Sequence, residues 1–171
     1  MPGLIDELVD TMSKENDIYK ELIPIASEKT RVIINNDLTA LQEITDKEQL
    51  VIEHINSLER KREEDIKNIG TVLSRDPATL NMKSLIKIMS KQPDQQRRLA
   101  AIHDELTATL GSLVAINDRN KLLIQQSLEM IEFNMNLLQS SRTSPRGNNY
   151  TRNAGEEAMP GTGTRMFDAK Q

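Results

Sequence analysis

Apolar positions recur every three or four residues over most of the chain, and polar or charged positions fill the intervals between them. This spacing keeps apolar side chains on one side of an α-helix, so it predicts amphipathic helices and no strands. Capping residues, prolines and breaks in the spacing divide the pattern into four helices. The predicted helices cover residues 4–35, 38–73, 82–89 and 94–141.

Capping residues mark the helix starts. Asp37 is suited to begin the second helix, because its carboxylate can accept hydrogen bonds from the unpaired amides of the first turn. Asp76-Pro77 and Asn81 have the same character before the short third helix. Thr45–Glu48 matches a capping box, which alone would start a new helix, but the apolar spacing continues through it. We therefore expect one continuous second helix.

Polar residues interrupt the apolar stripes of the long helices. The interruptions are Glu15 and Lys29 in the first helix, Glu48 and Arg62 in the second, and Asn117 and Asn120 in the fourth. A polar residue at a packing position lowers stability but fixes the register and orientation of the helices. We expect this role for the two asparagines.

The composition changes after Ser141. The remaining residues include four of the seven glycines and contain no Leu, Ile or Val. Such a segment buries too little apolar surface to offset the entropy lost on ordering. The sequence predicts a helical domain over residues 1–140 and a disordered C-terminal tail over residues 141–171.

The chain has 171 residues, of which two are Tyr and two are Phe, with no Trp and no Cys. A thick core of this size normally uses more aromatic side chains, since each buries about 150–250 Å². The predicted fold class is therefore all-α: an elongated antiparallel helical bundle or coiled coil of three long helices plus one short helix, with a thin core.

Composition also excludes several classes of function. The formal net charge of −4 disfavours a surface that binds nucleic acid by neutralising phosphates. The absence of cysteine removes disulfides and thiolate metal sites and fits a reducing compartment. No uninterrupted apolar run approaches the roughly 18 residues that span a bilayer, and the N-terminal residues are acidic, unlike a signal peptide. We expect a cytoplasmic protein with no membrane insertion.

Catalytic and metal-binding patterns are missing from the sequence. In helical metal enzymes a Glu often stands three residues before a ligating His, but Val51 precedes His54 and Ala100 precedes His103 at that spacing. The sequence has no Gly-rich phosphate loop and no recognisable nucleophile turn. We expect no cofactor, no metal site and no enzymatic activity.

The second half of the fourth helix is apolar on two faces. One face continues the stripe, with Ile124, Leu128, Ile131, Met135 and Leu138. The other carries Leu123, Met130, Phe133 and Leu137. A bundle of three long helices needs one stripe per helix, so the second face is either covered or left exposed. The short helix, a bent first helix or a homodimer could cover it; alternatively it binds apolar helical partners, which flexible methionines would suit.

Several stretches of the helical pattern are distinctive: Tyr19–Leu22, Val32–Asp37 leading into Leu41–Glu48, and Leu58–Arg62. They resemble the first helical hairpin of the FlgN-type flagellar export chaperones. The late-helix pattern is resembled by Asn117–Leu123 followed by Ser127-Leu128, and Met166–Lys170 is more loosely similar to the tails of Gram-positive members. The resemblance covers about residues 4–140.

This resemblance implies a role in flagellum biogenesis and type III secretion. Members of the family are cytoplasmic chaperones whose clients are the hook-filament junction proteins, hook-associated proteins 1 and 3. They bind the amphipathic C-terminal region of the client. They prevent premature assembly and deliver the client to the flagellar export machinery. The family's client contacts lie in the late helix. In this chain we therefore expect the client contacts at Leu123, Met130, Phe133 and Leu137, followed by Ile131 and Leu138. The client segment would fold as a helix when it binds this surface.

One alternative stays open from the sequence. A structural or signalling coiled-coil protein would use the same apolar face to associate with a second copy of itself, as a homodimer.

Overall fold

The computed structural model describes residues 2–143, and every regular element in that range is helical. The α-helices are α1 (Pro2–Ile34), α2 (Leu38–Val72), α3 (Met82–Ile88) and α4 (Pro93–Thr143). Short 3₁₀ turns at Pro77–Thr79 and Met89–Lys91 flank α3. The all-α prediction is confirmed, whereas the predicted tail lies outside the described residues from residue 144 onward.

The predicted capping residues start their helices. The Asp37 carboxylate accepts a hydrogen bond from the backbone N–H of Ala40 at 3.0 Å. The Asn81 side chain accepts from the backbone N–H of Ser84 at 2.8 Å. Helix α2 continues through Thr45–Glu48, as the apolar spacing indicates.

Both α1 and α2 are followed, two positions after their last helical residue, by a residue with left-handed backbone conformation. Asn36 has φ 54 and Ser74 has φ 50. In each case the next residue donates its N–H back into the last turn, from Asp37 to the Val32 carbonyl at 3.2 Å and from Arg75 to the Gly70 carbonyl at 2.9 Å. This is the Schellman arrangement, which satisfies carbonyls at a helix end and turns the chain sharply.

Helices α1 and α2 pack antiparallel, and polar side chains pair across them. The pairs are Thr11 with Asp65 at 2.8 Å, Arg62 with Glu15 at 3.0 Å, Tyr19 with Glu59 at 3.0 Å, and Lys29 with Glu48 at 2.6 Å. Two of these are ion pairs formed by the four charged residues that interrupt the apolar stripes. Each charged residue that interrupts the apolar stripe of one helix is therefore paired with an opposite charge from the stripe of the other helix.

Helix α4 packs parallel to α1. Arg98 pairs with Asp6, Asn16 donates to Glu105 at 3.0 Å, and Asn120 donates to the Ala26 carbonyl at 2.9 Å. Residue numbers rise together along both helices, so α4 runs antiparallel to α2. Helix α2 ends beside the start of α1, and the segment that contains α3 connects α2 to α4 at the same end.

The core consists of two apolar clusters separated by polar residues. The first is formed by Ile5, Leu8, Val9, Met12, Ile69, Leu80, Leu85, Met89, Leu99, Ile102 and Leu106. The second is formed by Ile18, Leu22, Ala26, Ile55 and Leu113. Between them lie the buried side chains of Thr11, Glu15, Asn16 and Asp65, which we call the polar layer. This segmented core uses only one aromatic ring, that of Tyr19, at its margin.

The chain divides into two compact units, residues 1–133 and residues 134–171. All helix pairings above lie within the first unit. In the second unit, the described residues continue as helix to Thr143, and the side chains of residues 134–142 are all exposed.

Helix α4 contains an 18-residue window with a mean hydropathy of 1.3, of which 28% is buried. By length and composition this window could cross a membrane. The core helix of a protein in water meets the same requirement, and α4 supplies the buried residues Leu99, Ile102, Leu106 and Leu113.

Candidate functional site

The burial of α4 changes abruptly at Asn120. This residue is 3% exposed, and no described residue from 121 to 142 is buried. Asn120 already pairs with Ala26 and Thr30, close to the end of α1 at Ile34. Because α4 extends beyond its partner helix, its later turns have little of the chain left to pack against.

These later turns expose a series of large apolar side chains. In the first unit they are Leu122, Leu128, Met130, Ile131 and Phe133, each 54% to 61% exposed. In the second unit they are Met135, Leu137 and Leu138, each 56% to 63% exposed. Contiguous exposed apolar surface of this kind marks interaction sites.

The sequence pattern placed Leu128 and Ile131 in the packed stripe of α4, and this expectation is wrong. The stripe follows one side of the helix as predicted, but packing needs a neighbour on that side. Ile124 is half-buried, whereas Leu128 and Ile131 are exposed, because α1 has ended.

A small apolar groove, which we call the corner groove, lies where the α1–α2 turn meets α4. Its volume is about 170 Å³. It is lined by Val32, Ile33, Asn36, Asp37, Leu38, Leu41, Ile124, Ser127, Leu128 and Ile131. Val32 and Ile33 are buried, while Leu38 is 78% exposed. The corner groove thus presents apolar walls that are open to an incoming side chain.

A larger groove, the lateral groove, shares Ile124 with the corner groove and has a volume of about 570 Å³. Its lining comes from α1, α2 and α4: Tyr19, Leu22, Lys29, Glu48, Ile52, Ile55, Asn56, Glu59, Leu113, Asn117, Asn120, Lys121 and Ile124. Apolar residues from all three helices are accompanied by the Lys29–Glu48 ion pair and by three asparagines. Ile124 therefore contributes to both grooves.

The phenol of Tyr19 lines the lateral groove and donates a hydrogen bond to Glu59 at 3.0 Å. Burial is the main cause that raises the pKa of Tyr19 to about 12, and the Glu59 carboxylate adds to the increase. The phenol therefore stays protonated and remains a hydrogen-bond donor at neutral pH.

The predicted site residues occupy different surroundings. Ile131 lines the corner groove, and Leu123 is half-buried. Met130 and Phe133 are exposed on the side of α4 away from Ile124, as the helical period requires. Leu137 and Leu138 are exposed in the second unit.

The residues that sequence reasoning missed are the other walls of the corner groove: Val32, Leu38, Leu41 and Leu128. A signal for them was present in the predicted helix lengths. A fourth helix much longer than the first leaves turns without a partner, and the α1–α2 turn is then the last surface beside them.

Two of the proposed covers for the second apolar face are absent. Helix α3 packs through Leu85 and Met89 into the cluster that contains Ile5 and Leu99, so it does not reach this face. Helix α1 leaves Met130 and Phe133 exposed as well. A homodimer remains as an alternative.

The polar layer contains buried atoms without hydrogen-bond partners, Glu15 Oε2 and Asn16 Oδ1. Burial raises the pKa of Glu15, and the nearby Arg62 guanidinium opposes this shift. Both side chains are 1% exposed, so they are not offered to a ligand. Within residues 2–143, no group of three or more His, Asp or Glu side chains could hold a metal ion.

Comparison with known proteins identifies one family and one relative. The FlgN protein family model matches residues 1–158. The uncharacterized protein YvyG of Bacillus subtilis (strain 168) is 23% identical over 155 residues, which cover 90% of each chain. No solved structure matches.

Proposed function

Because the chain belongs to the FlgN family of flagellar export chaperones, we propose that it binds the C-terminal amphipathic region of hook-associated proteins in the cytoplasm. In this role it prevents premature assembly of hook-associated proteins 1 and 3 and delivers them to the flagellar type III export apparatus. The family implies the chaperone role, and the proposal adds the clients, the binding site and the delivery step.

The observation that carries the proposal is the uncovered apolar half of α4. Leu128, Met130, Ile131 and Phe133 are exposed on a helix whose first half supplies buried residues to both core clusters. Exposing such side chains in water is unfavourable, by about 1.5–3 kcal/mol for each large one relative to burial. A surface of this kind fits a protein whose partner supplies the missing cover.

We propose that the client segment docks first in the corner groove. Leu128 and Ile131 form one wall and Leu38 and Leu41 form the other. Apolar side chains spaced at three or four residues on a client helix would enter between these walls, as in helix-in-groove recognition. The segment is disordered before it binds, so part of the interaction energy is spent on ordering it.

The opposite face of α4 belongs to the proposed site as well. Leu123, Met130 and Phe133 would contact the remainder of the client region. Leu137, and Leu138 on the face of the stripe, lie in the second unit and are proposed as further client contacts. Met130 adapts to different client side chains because the unbranched thioether has several accessible rotamers. The proposal includes no catalytic step, cofactor or metal.

The experiment that tests this function is co-purification from a flagellated cell extract. The full-length chain is used as bait, and the captured proteins are identified by mass spectrometry. Hook-associated proteins should be enriched over a control bait with Leu128→Asp and Ile131→Asp. If the wild-type bait recovers no hook-associated protein, the proposed client assignment is wrong.

A second candidate function is self-association through the same apolar turns, since the exposed face would equally suit a second copy. Light scattering of the purified chain, with and without client peptide, distinguishes self-association from the chaperone function. A stable oligomer that does not dissociate when a client C-terminal peptide is added would favour a structural role. A monomer, or a dimer that the peptide dissociates, favours the chaperone.

A further inference from the structure

The grooves beside α4 lie at the acidic end of the first unit. Residues 28–59 and 121–133, which form this end, hold nine acidic and four basic side chains, which gives −5. The whole chain holds 26 acidic and 22 basic side chains and has a net charge of −4. The negative charge of the protein is thus concentrated around the two grooves, and the rest of the chain is close to neutral.

Most of these carboxylates are available to a partner. Glu48 and Glu28 are paired with Lys29 and Arg31. The other carboxylates form no ion pair within the described part of the chain, and most are exposed: Asp37, Glu43, Asp46, Glu53, Glu129 and Glu132. Lys47 and Lys121 are exposed cations of the same end that form no ion pair within the described residues, and Lys121 lines the lateral groove.

The carboxylates lie close to the apolar walls. Asp37 lines the corner groove itself. Along the chain, Glu132 follows Ile131 of the corner groove and Glu53 follows Ile52 of the lateral groove. The lateral groove's own lining carries Glu48 and Glu59 together with Lys29 and Lys121. The excess of negative charge therefore comes from exposed carboxylates on the helices that form the grooves.

We infer that the occupant of these grooves is an amphipathic helix whose apolar stripe is flanked by Lys or Arg residues. This inference rests on the proposed function and specifies which client segments the site selects. Complementary charge raises the association rate and suppresses partners with like charge, while the apolar stripe supplies most of the affinity. A helix flanked by Glu or Asp would be repelled by the same carboxylates.

The same charge disfavours a second copy of the chain as the occupant. Two molecules that met through their grooves would bring two acidic ends together, which opposes association. The grooves are therefore better suited to a basic partner segment than to a homodimer contact.

The test uses two synthetic amphipathic peptides of about 18 residues, which span about 27 Å as helices. Both carry the same Leu and Ile stripe; one has Lys flanks and the other has Glu flanks. Binding to the full-length chain is measured by fluorescence anisotropy at 50 and 500 mM NaCl. We expect the Lys-flanked peptide to bind at least about tenfold more tightly at low salt, which is 1.4 kcal/mol. This preference should shrink at high salt, because the screening length falls.

A charge-matched pair of variants locates the effect. Glu53→Gln, Glu129→Gln and Glu132→Gln together should remove most of the preference for the Lys-flanked peptide. Glu7→Gln, Glu64→Gln and Asp104→Asn remove the same number of charges from exposed positions at the other end of the first unit. The control variant should keep the preference.

The possible results test the charge preference and the apolar groove separately. Equal binding of both peptides, or tighter binding of the Glu-flanked one, overturns the charge selection and leaves the apolar groove in place. If neither peptide binds, both the charge selection and the groove as the client site are wrong. An unchanged preference in the groove variant also overturns the charge selection.

Discussion

The buried Glu15 carboxylate shows how individual residues set the properties of this protein. It is 1% exposed, accepts a hydrogen bond from Arg62 at 3.0 Å, and has one oxygen without a partner. Burial raises the pKa of Glu15 above its ordinary value of 4.5, with Arg62 opposing the shift and Glu59 adding to it. A group whose pKa is raised by folding stabilises the folded state below its ordinary pKa, and this contribution is lost as the pH rises through the raised value.

We therefore predict that Glu15→Gln changes the pH dependence of stability. The variant keeps the shape of the side chain and an oxygen for Arg62, but it has no carboxylate to bury. Its free energy of unfolding relative to wild type should rise between pH 4 and pH 7.5, as measured by urea denaturation at each pH. A difference that is constant over this range would contradict the assignment.

Ser74 offers a second prediction at this scale. Its left-handed φ of 50 strains an ordinary side chain, by about 1–2 kcal/mol, whereas glycine adopts it freely. Glycine also makes the unfolded chain more flexible, which offsets about 0.5–1 kcal/mol of this gain. Ser74→Gly should therefore stabilise the protein by up to about 1 kcal/mol in urea denaturation. Ser57→Gly, at an exposed position inside α2, is the control and should destabilise it.

At the scale of elements, the pairing of α1 with α2 could be predicted from charged residues in the sequence. Glu15 with Arg62, and Lys29 with Glu48, have opposite signs, and both pairs are centred on the same point just after the α1–α2 turn. Antiparallel helices joined by a short turn bring such positions together, so the pairing could have been predicted from the interrupted stripes. The partners of Asn120, by contrast, depend on the parallel register of α1 and α4, which residues 73–92 determine.

The two halves of α4 should respond differently to the same kind of substitution. Leu99 is 0% exposed in the first core cluster, so Leu99→Ala should lower the free energy of unfolding by about 2–5 kcal/mol. Leu128 is 61% exposed, so Leu128→Ala should change it by less than about 0.5 kcal/mol. Urea denaturation measures both, and a large loss of stability in Leu128→Ala would mean that this turn is packed.

At the scale of the whole molecule, the helical class, the capping residues and the apolar α4 segment could be predicted from spacing and composition. The exposure of Leu128 and Ile131 could not be read from the stripe, because a stripe shows which side of a helix is apolar and not where its neighbour ends. The corner groove needs the turn at Asn36 beside α4, a tertiary arrangement with no local signal.

The most direct test of the account measures the affinity of the full-length chain for a C-terminal segment of a hook-associated protein by titration calorimetry. The groove variant carries Leu128→Asp and Ile131→Asp, and a second variant carries Met130→Asp and Phe133→Asp on the opposite face. Leu50→Asp is the control, since Leu50 is 69% exposed on α2 and lines neither groove. Circular dichroism checks that all variants keep their helicity.

We predict that the groove variant binds at least about 100-fold more weakly, because two apolar contacts of about 1.5–3 kcal/mol each are lost. The opposite-face variant should also bind more weakly, and Leu50→Asp should bind like wild type. Wild-type affinity in the groove variant would contradict the central claim that the uncovered turns of α4 hold the client.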